Sequence, residues 1–317
     1  MIVRVLHHDH CFDGAASAAF FSRFAETAFY PGAEFRFTGM IHQASQTFPD
    51  ELFDGDENAI VDFKYSSNGK LTWWFDHHQS AFLTPQDAEH FSRDRSGKKL
   101  YDPSYKSCTK FISTVARERF GFTAPDLDEL VEWADIVDGA QYADAKTAVE
   151  MPAAAMKLTL VIEGAKGADI VRKIIGWMRD KKLDEIVNEP QIQSMFLPLY
   201  ERHLQSVGLI RERSSQNDGV VVFDLADCDL EGYNKFIPYY LFPSSSYTVS
   251  VLQTNTRTKI SVGSNPWSPK EITHNLASIC ERFGGGGHPK VGAISLPTGA
   301  LDEARRIAQE IASILRD

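Results

Sequence analysis

The sequence predicts an α/β protein in which a domain with a mainly parallel sheet is followed by a smaller α/β domain. Over the first half of the chain, short apolar segments such as residues 2–7 and 71–75 alternate with amphipathic segments such as residues 108–120. Strands that alternate with helices are typical of βαβ units, whose strands run parallel. At 317 residues, 43% of them hydrophobic, the chain is long enough to form two cores.

The individual elements follow from local patterns along the chain. Residues 34–38 alternate between polar and apolar, as a strand does. In the first part we predict strands at 2–7, 34–38, 59–63 and 71–75, helices at 14–27 and 108–120, and a helical stretch over 152–213. In the last part we predict strands at 220–223, 247–253 and 259–262, and helices at 269–283 and 301–315.

A turn-rich segment at residues 214–219 marks the predicted boundary between the domains. We expect a first domain at 1–190, a connecting helix at 191–215 and a second domain at 216–317.

Composition excludes several classes of function. No apolar stretch approaches the roughly 20 residues of a membrane helix, and the N-terminal residues do not resemble a signal peptide. The four cysteines are scattered, without a CxxC pair, which favours a reducing compartment. The net charge of −10 disfavours binding to extended duplex nucleic acid. We therefore expect a cytoplasmic protein.

Side chains of the kind that bind metals follow predicted strands or end a helix at four places. The first strand runs into residues 7–13 (HHDHCFD), Asp62 follows the apolar residues 59–61 of the third strand, and residues 76–78 (DHH) follow the fourth. Asp135 and Asp138 end a helical segment. Because the carboxyl ends of parallel strands meet at one edge of a sheet, we expect these groups to form one site.

Each cluster alone has a simpler explanation: Asp13 as a helix cap, Asp62 as a turn residue, and residues 76–78 as a solvated loop. Their joint occurrence favours a metal centre. Carboxylates mixed with imidazoles suit Mn²⁺, with Co²⁺, Zn²⁺ and Fe²⁺ as alternatives. Two such ions that share a carboxylate can activate a water molecule for attack on phosphorus, so the pattern predicts phosphoester hydrolysis.

The run of glycines at residues 284–287, followed by His288 and Lys290, predicts an anion-binding loop in the second domain. Glycines let the backbone approach a ligand closely, and successive N–H groups can form a concave site for an anion. The alternative is a helix C-cap followed by a flexible loop.

These motifs resemble the DHH phosphoesterase superfamily, in the subgroup with the DHH-associated C-terminal domain that includes nanoRNA and pAp hydrolases. The DHH motif stands at residues 76–78, and the GGGGH signature with a later alanine at residues 284–288 and Ala293. The resemblance implies two domains across a cleft, the first binding metal and the second binding substrate. It also implies Mn²⁺-dependent hydrolysis, most simply with two ions.

The resemblance assigns a role to each matching residue. The implied metal ligands are His7, Asp13, Asp62, His77 and Asp138. His78 would face the substrate phosphate with Asp76 orienting its neighbours, and the implied substrate-binding residues are Gly285, Gly286, Gly287 and His288. His8 is the alternative to His7, and Asp135 is the alternative to Asp138.

The chain departs from the family pattern at two positions. Cys11 stands where the first motif usually has an aspartate. Either Cys11 itself or Asp9 would take that place, or the first metal site would be weak or filled by another ion. Gly263 stands where many relatives have an arginine that grips phosphate, which weakens the case for an RNA oligomer or pAp as substrate.

The predicted function is a metal-dependent phosphoesterase that hydrolyses small phosphorylated nucleotides or short oligonucleotides through a metal-activated water. The alternatives are a pyrophosphate or polyphosphate hydrolase, and a non-catalytic nucleotide-binding protein with an impaired metal site. The sequence leaves a homodimer open.

Overall fold

The computed structural model describes residues 1–43, 46–228, 230 and 232–316. The chain divides into two compact units. Unit one contains residues 1–142 and 152–199, and unit two contains residues 143–151 and 200–317. The domain limits given above, with their assigned roles, stay a prediction.

Unit one is built on a five-stranded parallel sheet in the order β2-β1-β3-β4-β5. Its strands are β1 Ile2–His8, β2 Glu34–Met40, β3 Glu57–Val61, β4 Trp73–Asp76 and β5 Lys99–Tyr101. The helices of unit one are α1 Phe12–Ala28, α2 Pro85–Ser92, α3 Cys108–Phe120, α4 Asp128–Asp138, α6 Ala154–Glu163, α7 Ala168–Met178 and α8 Leu183–Val187. Helix α5, Ala145–Glu150, belongs to unit two. Helix α9, Pro190–Arg213, begins in unit one and ends in unit two.

Unit two is built on a six-stranded sheet in the order β10-β11-β9-β8-β7-β6. Only the pair β7–β8 is parallel among its described pairs. Its strands are β6 Ser215–Asn217, β7 Val220–Asp224, β8 Tyr247–Gln253, β9 Thr258–Ser264, β10 Gly286–His288 and β11 Val291–Leu296. Its remaining helices are α10 Ile237–Leu241, α11 Leu276–Glu281 and α12 Leu301–Ile314. The predicted α/β class, with a mainly parallel first sheet, is confirmed.

Strand β4 shows why unit one forms a parallel sheet. All four of its residues are buried, as expected for a strand whose two faces are both covered. The Trp73 ring packs on that of Phe21 from α1, with centroids 5.8 Å apart. The Trp74 indole donates a hydrogen bond to the Phe63 carbonyl oxygen over 2.9 Å. Burial on both faces fixes the end of β4, and with it the position of the DHH motif.

Two predicted elements differ from the observed ones. The helix predicted at 269–283 is confined to Leu276–Glu281, because the Asn275 side chain accepts a hydrogen bond from the Ser278 N–H and starts the helix there. The predicted boundary turn is a β-hairpin: β6 and β7 are joined by Asp218 and Gly219, both with positive φ.

Among the described residues, no helix is both long enough and apolar enough to span a membrane.

Candidate metal centre

Polar residues that follow adjacent strands of unit one converge at one edge of the sheet. Strands β1, β3 and β4 are neighbours. Asp13 lies in the first turn of α1, Asp62 directly follows β3, and His77 directly follows β4. Asp138 is the last residue of α4. The structure therefore brings together four of the five residues predicted as metal ligands.

His77 lies at the centre of this group. Its Nε2 is 3.3 Å from Asp62 Oδ1, 3.5 Å from Asp138 Oδ2 and 3.7 Å from Asp13 Oδ2. Its Nδ1 lies 3.0 Å from the Tyr105 carbonyl oxygen, which can only accept a hydrogen bond. Nδ1 therefore carries a proton, and Nε2 offers its lone pair towards the carboxylates when the ring is neutral.

Asp62 is buried, and its backbone has a positive φ of 56°. The Asp62 N–H donates to the Phe75 carbonyl oxygen over 2.9 Å, which ties this turn to the end of β4. Oδ1 faces His77, whereas Oδ2 lies 3.5 Å from His8 Nδ1. Although burial alone would raise it, the imidazoles of His77 and His8 hold the pKa of Asp62 below its usual range. Asp62 therefore presents one oxygen to each of two histidines.

Asp13 does not cap its own helix. Its carboxylate accepts hydrogen bonds from the backbone N–H groups of Cys108 (2.6 Å) and Thr109 (3.0 Å) and from the Thr109 hydroxyl (2.6 Å). These contacts satisfy free donors at the start of α3 and hold that helix against α1. Burial, with the nearby carboxylates of Asp62 and Asp138, raises the pKa of Asp13 well above its usual value. Asp13 thus joins two helices and brings a third carboxyl group to the centre, beside those of Asp62 and Asp138.

The structure places Asp138 in the group and Asp135 outside it. Burial and the Asp62 carboxylate raise the pKa of Asp138 to about 6. Asp135 instead accepts a hydrogen bond from the hydroxyl of Ser107, the N-cap of α3, over 3.1 Å. Asp135 therefore positions the start of α3, and Asp138 is the carboxylate available to a metal.

Of the two adjacent histidines at the end of β1, His8 is the one that faces Asp62. His7 is buried, and its Nδ1 lies 3.0 Å from the His8 carbonyl oxygen. We call a set of at least three His, Cys, Asp or Glu residues a metal-type group when one ligand atom from each lies within 4.8 Å of the others. In the described part of the chain, His7 belongs to no such group. His8 belongs to two such groups. Ligation by His7 stays a prediction that the geometry does not favour, and the alternative, His8, fits the centre better.

Asp76 orients the two histidines of its own motif. Its Oδ1 accepts hydrogen bonds from the His77 N–H (2.9 Å) and the His78 N–H (3.3 Å), and it lies 2.7 Å from His78 Nδ1. Although burial lowers it, the Asp76 and Asp62 carboxylates raise the pKa of His78 above its usual value. This geometry suits the predicted orienting role of Asp76 and leaves His78 Nε2 available to a ligand.

Cys11 lies at the rim of the centre, whereas Asp9 turns towards β2. The Cys11 thiol is 4.0 Å from Asp138 Oδ1 and forms a metal-type group with His8 and Asp62. Burial and the surrounding carboxylates raise the pKa of Cys11 well above its usual value. Asp9 accepts a hydrogen bond from the His10 N–H and occupies the space over Gly39. Cys11 therefore fits the position of the missing aspartate better than Asp9 does.

Sequence analysis missed His42, which follows β2. Its ring stacks on Phe63 with centroids 4.5 Å apart and lies 4.7 Å from the ring of His8. His42 is exposed, but partial loss of solvent around its ring, with the nearby imidazoles of His8 and His78, lowers its pKa to about 4. The sequence contained a weaker signal for it, because His42 lies on the carboxyl side of the predicted strand 34–38, although four residues beyond its end.

The donor set fits divalent cations. Among the buried atoms that have no hydrogen-bond partner in the described part of the chain, four belong to this group: His8 Nδ1, both carboxylate oxygens of Asp62, and His77 Nε2. Unpartnered buried polar atoms are costly, and here they face one another as potential ligands. The His77 ring and the carboxylates around it lie within reach of one ion, and His8 lies on the other side of Asp62. The centre thus has the donors for two cations that share Asp62.

The predicted anion loop lies in unit two, where most of its glycines have a packing role. Gly284 has a φ of 76° and ends α11, with its N–H donating to the Glu281 carbonyl oxygen. A Cβ on Gly285 would overlap the Ala293 carbonyl, and one on Gly287 would overlap that of Val291. A Cβ on Gly286 would meet nothing within 4 Å, and the neighbouring His288 is exposed. Substrate binding by residues 285–288 stays a prediction.

No protein-family model and no curated protein matches the chain. Among solved structures, the chain is similar to the pGpG-specific phosphodiesterase PggH from Vibrio cholerae, with a TM-score of 0.71 and 17% identity over 99% of both chains. It is also similar to the DHH domain of a protein described as a member of a family of ribosomal proteins, with a TM-score of 0.61 and 13% identity over 99% of this chain and 87% of that one.

A third similarity is to RecJ from Thermus thermophilus, solved in complex with Mn²⁺. The TM-score is 0.54 and the identity 14%, over 100% of this chain and 52% of that one, so the chain spans about half the length of RecJ. The residues 76–78 that carry the DHH motif lie beside Asp13, Asp62 and Asp138 at the edge of a parallel sheet. The chain therefore has the fold of the DHH phosphoesterase superfamily.

Proposed function

We propose that this protein is a metal-dependent phosphoesterase that hydrolyses small phosphorylated nucleotides or short oligonucleotides. The observation that carries the proposal is the environment of Asp62. Its two buried oxygens have no hydrogen-bond partner among the described residues, and each faces the unpartnered nitrogen of a different histidine. A carboxylate shared between two cations is the arrangement that supports in-line displacement at phosphorus.

The protein groups have separable tasks in this proposal. Asp13, Asp62, His77 and Asp138 would hold one cation, and Asp62 with His8 would hold the other. Bound divalent ions would activate a water molecule and neutralise charge on the phosphoryl oxygens. Asp76 fixes the His78 ring through Nδ1. His78 Nε2 would donate a hydrogen bond to a phosphoryl oxygen as negative charge develops there.

A small nucleotide is the substrate class that the comparisons favour. PggH, which matches over 99% of both chains, is described as specific for the linear dinucleotide pGpG. The net charge of −10 disfavours a long track for extended nucleic acid, which requires basic surface. Manganese is the metal with which one RecJ neighbour was solved and is our first choice here. Residues 285–288 of unit two are proposed to bind substrate.

The proposal is tested by hydrolysis assays with Mn²⁺ on pGpG, pAp, cyclic di-AMP and tripolyphosphate. We expect turnover of at least one nucleotide, and we expect Asp138→Asn to reduce it by about 10²–10³-fold, as loss of one preorganised electrostatic group does. Asp135→Asn is the matched control on the same helix, since Asp135 bonds Ser107 and not the centre. Its activity should stay near that of the wild type.

Other outcomes separate the alternatives. Cleavage of tripolyphosphate alone would replace the proposal with a polyphosphate hydrolase. Nucleotide binding without turnover of any compound, under metal-saturated conditions, would indicate a non-catalytic binding protein. Equal activity losses in the two aspartate variants would contradict the assignment of Asp138 to the metal centre.

A further inference from the structure

The donors on the two sides of Asp62 are chemically different. Next to Oδ1 lie the carboxylates of Asp13 and Asp138 and the imidazole of His77. The His78 ring is also close, with Nδ1 3.8 Å from Oδ1, but Asp76 holds that nitrogen. Next to Oδ2 lies His8, which forms one group with Cys11 and Asp62 and another with His42 and His78. The Cys11 thiol also lies 4.0 Å from Asp138 Oδ1, so it borders both sides. The ligand atoms of each group lie within 4.8 Å of one another. One side is therefore rich in oxygen, and the other is rich in nitrogen and sulfur.

The position of His42 makes it part of the nitrogen-rich side. It belongs to the segment that follows β2, the strand next to β1, and its ring is held flat against Phe63 at an interplanar angle of 13°. Phe63 directly follows Asp62, so the support for His42 is fixed to the shared carboxylate. The His42 ring centroid lies 4.7 Å from that of His8 and 6.0 Å from that of His78. His42 is not among the motif residues identified from the sequence.

Donor chemistry decides which cation each side prefers. Carboxylates suit hard ions such as Mn²⁺ and Mg²⁺, whereas imidazole and thiolate ligands select Zn²⁺, Co²⁺ and related ions. The oxygen-rich side also concentrates the formal negative charge, since Asp13 and Asp138 both lie there. Within the groups described, the nitrogen-rich side has the shared Asp62 as its carboxylate, and Cys11 would become an anionic donor only by losing its proton when a cation binds.

We propose that the centre binds two unlike cations: a hard ion on the Asp13–His77–Asp138 side, and a Zn²⁺- or Co²⁺-type ion on the His8–Cys11 side with His42 as an additional ligand. This inference rests on the metal centre of the proposed function, and it does not depend on the substrate. It predicts that the two sites of one chain differ in metal selectivity, and that His42 affects only one of them.

The test is the binding of Co²⁺ and Mn²⁺ to metal-free protein. Binding is measured by calorimetry and by the absorption spectrum of bound Co²⁺. In the wild type, one Co²⁺ site should resist competition by Mn²⁺, and its spectrum should include a sulfur-to-cobalt charge-transfer band. His42→Ala should weaken that site by at least about tenfold, the lower limit seen when residues around a metal are changed. Cys11→Ser should remove the charge-transfer band.

The controls isolate the role of His42. His10→Asn removes an imidazole from the β1–α1 turn that belongs to no metal-type group among the described residues, and asparagine tolerates the positive φ of 54° at that position. This variant should bind both ions as the wild type does. Asp138→Asn should weaken the Mn²⁺ site and leave the Co²⁺ site in place. Circular dichroism and thermal unfolding confirm that each variant is folded.

Two results would overturn the inference. One is that Mn²⁺ displaces Co²⁺ equally well from both sites. The other is that the His42→Ala protein binds Co²⁺ with unchanged affinity and an unchanged spectrum. Failure of the proposed function is distinguishable from these. Two unlike sites in a protein that hydrolyses none of the test compounds would retain the inference and contradict the phosphoesterase. Hydrolysis by a protein with two equivalent sites would do the reverse.

Discussion

The candidate metal centre of unit one and the glycine-rich hairpin of unit two, formed by β10 and β11, are both marked by sequence motifs, but their residues have different roles. In the centre, buried polar atoms of His8, Asp62 and His77 have no hydrogen-bond partner in the described part of the chain, so the fold alone does not explain them. In the hairpin, Gly285 and Gly287 are required by the backbone of β11. An unexplained polar group is therefore stronger evidence of function than a glycine motif.

The largest effect is expected where a glycine supports the metal centre itself. Gly14 lies in the first turn of α1, and a Cβ there would overlap the carbonyl oxygen of His8. Gly14→Ala must push α1 away from the end of β1, and with it Asp13. We expect this variant to lose metal affinity by more than about tenfold, because displaced ligands bind weakly. Calorimetric titration with Mn²⁺ measures the loss, and unchanged affinity would show that the turn adapts.

A smaller effect, on stability alone, is expected in the hairpin. Gly285→Ala places a Cβ against the Ala293 carbonyl and should destabilise unit two by about 1–3 kcal/mol, as overpacking does. Gly286→Ala is the matched control, since its Cβ would meet nothing within 4 Å. Chemical denaturation of both variants measures the difference, and Mn²⁺ affinity should stay unchanged in each. Equal destabilisation by the two substitutions would contradict this account of the glycines.

The smallest expected effect is the release of protons on metal binding. Burial lowers the pKa of His77, but the Asp62 and Asp13 carboxylates outweigh it and raise that pKa to about 10, so the ring is protonated at neutral pH without metal. A ligating Nε2 must be neutral, so binding at pH 7 should release at least one proton, from His77, in addition to any that Asp13 and Cys11, whose pKa values are also raised, lose on ligation. Below about pH 6, Asp138 should release another.

Metal affinity should therefore rise with pH towards 10. The same shift fixes how the stability of the metal-free protein depends on pH. The folded-state pKa of His77 is raised above 6.5, so its stabilising contribution is complete below pH 6.5 and is lost as the pH rises towards 10. The number of protons released on metal binding is measured by calorimetric titration in buffers of different ionisation enthalpy. Binding without proton release at pH 7 would contradict ligation by His77.

The sequence was sufficient to predict which strands lead into the site. Hydrophobic segments followed by Asp62 and by residues 76–78 predict that these residues emerge at the carboxyl edge of a parallel sheet, and both do. The distinction between His7 and His8 was not predictable, because successive side chains of a strand point to opposite faces and the last paired residue decides which one faces the site. That residue is His8, at the end of β1.

Other features depend on tertiary contacts that no local pattern records. His42 has its place because Phe63, distant along the chain, supports its ring. The role of Asp135 depends on the Ser107 hydroxyl of a different helix. The short strand β5 has only three residues, Lys99–Tyr101, and is defined by its pairing with β4. In each case a residue is held by a neighbour that sequence periodicity cannot identify.

The most direct test of the metal centre is the number of divalent ions bound per chain, measured by elemental analysis of protein purified without chelator, for the wild type and Asp62→Asn. Asparagine retains the size of the side chain and tolerates the positive φ, but it cannot act as a shared carboxylate. We expect about two ions per wild-type chain, as in two-metal phosphoesterases, and a loss of at least one in the variant. Wild-type protein without bound ions, even after incubation with Mn²⁺ and Zn²⁺, or equal loading of the variant, would contradict this expectation.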